Sequence, residues 1–430
     1  MTVADSAGTH GASASLSVSK LQRALLWLFV ASGALASIEP SPYELMFIPA
    51  LLAFGWRDLL FDRAMAPLIV GLALFNVGGA LSLLPYIDQR ESYMFSAISL
   101  YISVTAIFFA ALVAKAPLDR LAVIRSGYVV AGMIAGLAGI LGYFNVAGLA
   151  EHFTLYNRAS GTFKDPNVLG PFLAPPLIWL SQAILLRQAK GFVRTYLPLL
   201  VMLTALLLSF SRGAWGVWVA STLMMIGLTY LTTPSSRLRR RIVIITVLGA
   251  AGIVVLLAIA LSIPAIHSVF EIRFSLKQDY DVGQTGRFGD QWRSIPMLLD
   301  RPLGFGPLQY RNHFEGVDPH NVYVNAFASY GWIGGLCYAA LIAATVALGW
   351  RLVFQRTPYQ TEAIAIWSCL FVQILQGFQI DTDHWRHLFL LLGALYGLLA
   401  ATRLYNRRKL VEDAVIPAQA RIQEAVALEG

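Results

Sequence analysis

Three short segments of this 430-residue chain place residues that can hold an anion or move a proton beside glycines or prolines that turn the backbone. Ser209-Phe210-Ser211-Arg212-Gly213 lies midway in an almost unbroken apolar stretch from Tyr196 to Leu231. A membrane-crossing helix needs about 20 apolar residues, so that stretch holds two, with the turn between them near Arg212 and Gly213. A guanidinium there has little water around it and is costly unless it meets an anion or reaches back to the interface, where it would be a plain anchor. Thr285-Gly286-Arg287 comes next, and Phe288-Gly289-Asp290-Gln291-Trp292 begins a weakly amphipathic stretch to about Leu299. Arg287 near that helix start sits where N–H groups attract anions, and its planar, permanently charged fork suits phosphate oxygens. Taken alone it also reads as a solvated loop arginine. Asp318-Pro319-His320-Asn321 directly precedes the apolar run that begins at Val322, which puts His320 at a helix start. Histidine is the side chain best able to take a proton near neutral pH, although capping histidines are commoner than catalytic ones. Gly331, beyond the ten residues that follow, opens the helix to close packing.

The elements that position these residues are apolar runs. With 57% hydrophobic and 13% charged residues, the chain has more apolar surface than a soluble core of this length buries, and it needs lipid. Runs near crossing length occur at about 21–37, 43–61, 66–84, 93–114, 122–146, 168–187, 194–211, 213–231, 242–262, 323–350, 361–380 and 387–403. The expected fold is therefore all-α, a polytopic integral membrane protein of about 12 transmembrane helices. Residues 1–19 read as a disordered cytoplasmic tail, 20–410 as the membrane domain and 411–430 as a second cytoplasmic tail. The stretch ending in Ala34-Leu35-Ala36 resembles a signal-peptidase site, but the long uncharged segment ahead of Lys20 and Arg23 favours a first membrane helix.

Most of the 32 Lys and Arg fall in alternate loops, including Arg57/Arg63, Lys115/Arg120/Arg125, the cluster Arg237 to Arg241, and the tail from Arg403. That alternation puts both termini in the cytoplasm of a bacterial inner membrane. The remaining basic residues face the periplasm and cluster around the 151–167 loop, the turn at Arg212 and a long loop from about 263 to 322. Long loops inside compact domains tend to be functional. The net charge of +8 is thus a matter of orientation, and no nucleic-acid partner is implied. Cys337 and Cys369, the only 2 cysteines, lie inside apolar runs and read as packing residues.

Asp381-Thr382-Asp383-His384-Trp385-Arg386-His387 has enough Asp and His for a metal site, and Asp381-x-Asp383 mimics the motif of nucleotide-sugar transferases. Those donors are cytoplasmic, whereas this loop faces outward, so no metal site is expected. A twelve-helix carrier would share the topology, but carriers place ionisable groups near mid-membrane and these collect at its outer edge.

Together the segments resemble the O-antigen ligase and polymerase superfamily of bacterial envelope glycan enzymes. The matching parts are Arg158-Ala159-Ser160-Gly161-Thr162-Phe163-Lys164-Asp165-Pro166-Asn167, Ser211-Arg212-Gly213, Thr285-Gly286-Arg287 with Trp292, Arg301-Pro302-Leu303-Gly304-Phe305-Gly306-Pro307, and the His320 to Gly331 spacing. Each is weak alone, and their order makes the match specific, over roughly 158–348. The resemblance implies a GT-C-like membrane glycosyltransferase, metal-independent and inverting, without cofactor. It moves a glycan from undecaprenyl diphosphate to lipid A-core or to a growing glycan at the periplasmic face of the bilayer. Ligase is the leading reading, and a polymerase, which shares donor and site, is the alternative. Catalytic roles fall to Arg212 and Arg287, which stabilise the leaving diphosphate, and to His320 as general base. Arg158, Lys164, Asn167 and Arg311 would bind substrate.

Overall fold

The computed structural model describes residues 6–37, 41–55, 57–264, 266–268, 270, 287–314 and 318–429, with side chains at all of these except 6–18, 287 and 414–429. Helices dominate: α1 Ser6–Ser32, α2 Pro42–Phe54, α3 Ala66–Leu83, α4 Arg90–Lys115, α5 Pro117–Tyr143 and the short α6 Ala150–Phe153. After the two-residue strands β1 Thr154–Leu155 and β2 Arg158–Ala159 come α7 Pro166–Leu185, α8 Leu197–Leu208, α9 Arg212–Thr232 and α10 Ser236–Leu261. The last four are α11 Arg287–Leu299, α12 Val322–Val353, α13 Gln360–Gln376 and α14 Arg386–Glu429.

Among the described residues, eight helices are long and apolar enough to cross a membrane; the expected runs at 21–37, 43–61, 194–211 and 361–380 fall on α1, α2, α8 and α13, which are not among the eight. Residues 387–402 of α14 are buried, packed along α4, whereas α10 is almost wholly exposed, with Val247, Leu248, Val254 and Ile259 on the outside. Apolar exposure of that extent is a liability in water and ordinary in lipid. The chain is an all-α polytopic membrane protein. Two helices run further than the apolar runs that seed them. α1 begins at Ser6 and α14 continues to Glu429, inside stretches that read as tails. Helix propagation onto an existing helix avoids the cost of nucleation; the C-terminal stretch is rich in the helix formers Ala, Glu and Gln, whereas the N-terminal stretch is Ser- and Gly-rich and continues the helix against its propensity.

Two helix defects shape the end of the bundle that carries the candidate residues. In α7, Pro175 has no N–H to give the Pro171 carbonyl, and Nε2 of Gln373 on α13 supplies the missing donor at 3.1 Å. In α12, Gly331 has φ 66 and ψ −171, a conformation almost confined to glycine, and splits the helix. The freed groups pair with the Arg301–Pro307 segment: Trp332 N–H donates to the Pro302 carbonyl at 2.8 Å, and the Ala328 carbonyl accepts from Phe305 at 2.8 Å and Gly306 at 3.0 Å. The glycine beyond His320 is therefore a docking point for the long loop.

Candidate active site

α8 ends at Leu208 and α9 starts at Arg212, so the reversal occupies Ser209, Phe210 and Ser211. Phe210 takes the left-handed conformation, φ 44, and its buried ring packs 6.0 Å from Tyr143 and 6.3 Å from Trp215, which holds the turn. Ser211 caps α9, its Oγ accepting the Ala214 N–H at 3.3 Å. Arg212 is thereby the first residue of the helix, with an exposed side chain.

Arg158 arrives from β2 and is only 7% exposed. Its Nε donates to the Ser209 carbonyl and its Nη2 to Asn167 Oδ1, both at 2.8 Å. One guanidinium thus ties β2, the start of α7 and the α8–α9 turn together. Asp165 caps α7 by accepting the Asn167 N–H at 2.7 Å. Further along α7, a Cβ on Gly170 would stand 2.1 Å from that of Ala214, so α7 and α9 approach this closely only with glycine there. That approach brings Asn167 and Arg212 to one wall.

His320 is held by its backbone, in a left-handed conformation with φ 49. Its N–H and that of Asn321 donate to the two carboxylate oxygens of Asp381 at 3.0 and 3.1 Å. From the other side, Gln291 Nε2 donates to the Pro319 carbonyl at 2.9 Å, and Gln291 Oε1 accepts from Asn321 Nδ2 at 3.2 Å. Asn321 Oδ1 then caps α12 through the N–H groups of Tyr323 and Val324. Burial, with Asp383 and Asp318 nearby, pushes the Asp381 carboxyl well above the usual carboxylate range, against the two backbone donors that favour its charge.

These pieces form an open-mouthed cavity of about 610 Å³ whose lining includes Arg158, Asn167, Arg212 and His320. Early residues of α7, α9 and α11 reach its wall, as does the residue just ahead of the α12 cap. Helix N-termini carry partial positive charge, so their gathering around two guanidinium groups makes the cavity suited to a polyanion. Asp165 adds one carboxylate to the wall, and Val217, Leu375 and Ile380 add an apolar side.

Arg287 opens α11, and its neighbour Phe288 lines the cavity; the Arg287 side chain lies outside the described residues. Lys164 is exposed on the turn between β2 and α7 and does not line the cavity. Arg311 does not line it either: it pairs with Asp318 at 3.2–3.3 Å and steadies the segment leading to His320. Asp381, Asp383, His384 and Arg386 of the Asp381–His387 motif have other partners. Asp383 accepts from Asn325 at 3.1 Å and Tyr330 at 3.3 Å and pairs with His384 at 3.2 Å. Among the described residues no group of three or more His, Cys, Asp or Glu is placed to hold a metal ion.

Four contributors escaped the sequence reading: Asp381 and Gln291, which hold the His320 backbone, and Gln376 and Gln379, which line the cavity. A signal for the glutamines existed. Gln373, Gln376 and Gln379 recur every third residue at the end of an apolar helix, a spacing that aligns polar groups on one face.

Residues 197–339 match the family described as O-antigen ligase, from the start of α8 into the second half of α12. The stretch includes Arg212, Arg287, the Arg301–Pro307 segment, His320 and Gly331, while Arg158, Asn167, Gln376 and Asp381 lie outside it. A comparison with curated proteins found no match. The superfamily expected from the motifs is borne out over the matched stretch.

Proposed function

We propose that this membrane protein, which carries the O-antigen ligase domain, transfers a glycan from undecaprenyl diphosphate to a hydroxyl of lipid A-core at the periplasmic face of the bacterial inner membrane. The observation that carries the reading is the cavity that puts Arg158, Arg212 and His320 on one wall system among helix N-termini. The acceptor oxygen attacks the anomeric carbon from the face opposite the diphosphate. The bond from that carbon to the phosphate oxygen breaks, its electron pair leaves with the diphosphate, and the acceptor proton passes to His320. Displacement on one face inverts the anomeric centre. Charge building on the leaving diphosphate meets Arg212, with Arg287 as its expected partner, and fixed guanidinium groups stabilise it without requiring a divalent cation. Arg158, which already anchors the turn, adds positive charge behind Arg212.

Polymerisation of repeat units on the same donor is the second reading, since the site chemistry is common to both. Complementing a deletion strain with wild type or Arg212→Ala, at equal protein levels, tests the proposal through lipopolysaccharide ladders and lipid-linked intermediates. Long lipid-linked chains with bare lipid A-core are the expected result for a ligase, and accumulated single repeat units identify a polymerase. Normal glycans in the Arg212→Ala strain would overturn the reading.

A further inference from the structure

Gln376, the last residue of α13, lines the cavity yet is 92% covered, being 8% exposed. Its Oε1 is buried without a hydrogen-bond partner among the described residues. Its amide nitrogen stands against the turn that carries Arg212, close enough that a Cβ on Gly213 would come within 3.3 Å of it. Three residues back, Gln373 also has a buried Oε1 without a partner among the described residues, but it spends its amide nitrogen on the Pro171 carbonyl inside the bundle and does not line the cavity, whereas Gln376 does. A buried carboxamide with unused hydrogen-bonding capacity, at the wall of a polar cavity, is an ordinary mark of a group that binds something brought from outside.

We infer that the Gln376 carboxamide recognises a hydroxyl or acetamido group on the donor sugar that borders the diphosphate. The inference rests on the diphosphate reading of the cavity. If Arg212 takes the diphosphate, the moiety one residue away is either the polyprenyl chain or the first sugar. An isoprenoid offers no hydrogen bond, whereas a sugar offers both a donor and an acceptor for the two ends of an amide. Sites built to pair a substrate hydroxyl discriminate strongly against analogues that lack it, so Gln376 is a specificity residue acting on the first sugar.

Binding of three kinds of lipid to purified full-length protein in nanodiscs tests this: undecaprenyl diphosphate alone, the same lipid bearing glucose or galactose, and the same lipid bearing N-acetylglucosamine. Wild type is expected to bind at least one glycosylated lipid about tenfold more tightly than undecaprenyl diphosphate, a typical hydrogen-bond increment. Gln376→Met, which keeps length and loses hydrogen bonding, should erase that gain and leave undecaprenyl diphosphate binding unchanged. Gln373→Met should lower the melting temperature but keep the gain. A gain that survives in Gln376→Met overturns the inference and leaves the diphosphate reading standing. Absence of any gain in wild type overturns it without recourse to a variant. Equal binding of undecaprenyl diphosphate by wild type and Arg212→Ala is the separate result that sinks the diphosphate reading itself.

Discussion

Asp381 grips the backbone of His320 from 61 residues away, its Oδ2 accepting the His320 N–H at 3.0 Å while Oδ1 takes that of Asn321. This clamp holds His320, a residue lining the cavity, in a left-handed turn that a non-glycine residue rarely adopts. Asp381→Asn replaces one acceptor by an amide that faces an N–H, and an unmet buried donor costs ~1–3 kcal/mol. The pH dependence carries a sign. Burial raises the folded carboxyl above its unfolded value of about 3.9, so the stability it contributes is full below about pH 4 and is lost as pH rises through the folded value. Thermal melts should therefore show the gap between wild type and Asp381→Asn largest in acid and narrowing toward neutrality. A gap that widens with rising pH would mean that the two backbone donors outweigh burial.

Removing the Arg212 guanidinium takes away charge where the diphosphate leaves. Loss of one such donor typically costs on the order of 10²–10³ in rate, so Arg212→Ala should lower transfer by at least that factor with little change in melting temperature. Arg212→Lys should recover only a small part, because an ammonium lacks the planar fork. Arg287→Ala is expected to match Arg212→Ala in the same assay. Full activity in either alanine variant would remove that arginine from the mechanism.

A general base works only when unprotonated, which gives His320 a signature in the acid limb of the pH profile. His320→Gln should lower kcat/KM and remove the fall toward acid, leaving a flatter residual rate. An acid limb unchanged in His320→Gln would assign it to another group and leave His320 a positioning role.

The helices were legible in the sequence because lipid imposes a simple rule: each crossing needs a long apolar run, and the runs from 66–84 onward stand apart at charged or proline-bearing loops. Arg212 and His320 were legible for a related reason, since a charged or titratable residue at the edge of such a run is conspicuous. The clamp on His320 was not. Asp381 sits in an Asp- and His-rich motif whose composition suggests metal, and only the three-dimensional pairing of its loop with the segment before α12 reveals a backbone acceptor. Gln373 illustrates the same limit, because its partner is a carbonyl orphaned by a proline on another helix. Arg158 read as a phosphate contact, yet its guanidinium also braces the turn through the Ser209 carbonyl, a bond that no spacing in the sequence encodes.

Gly331 tests whether docking of the long loop matters to the site. At φ 66 and ψ −171 its backbone lies where side chains are strained, and a Cβ would also fall 2.6 Å from the Pro302 carbonyl oxygen. Strain of this kind costs on the order of 1–3 kcal/mol, before the clash is counted. Gly331→Ala should therefore lower the melting temperature and loosen the Arg301–Pro307 segment from α12, because its Pro302, Phe305 and Gly306 hydrogen bonds depend on the break. Hydrogen exchange at the Phe305, Gly306 and Trp332 amides reads this directly. Exchange should quicken at those three amides more than at Tyr323 and Val324, whose cap on Asn321 stays intact. If protection fell equally at both places, the break would be a general stability element of α12 and the loop would be docked by something else.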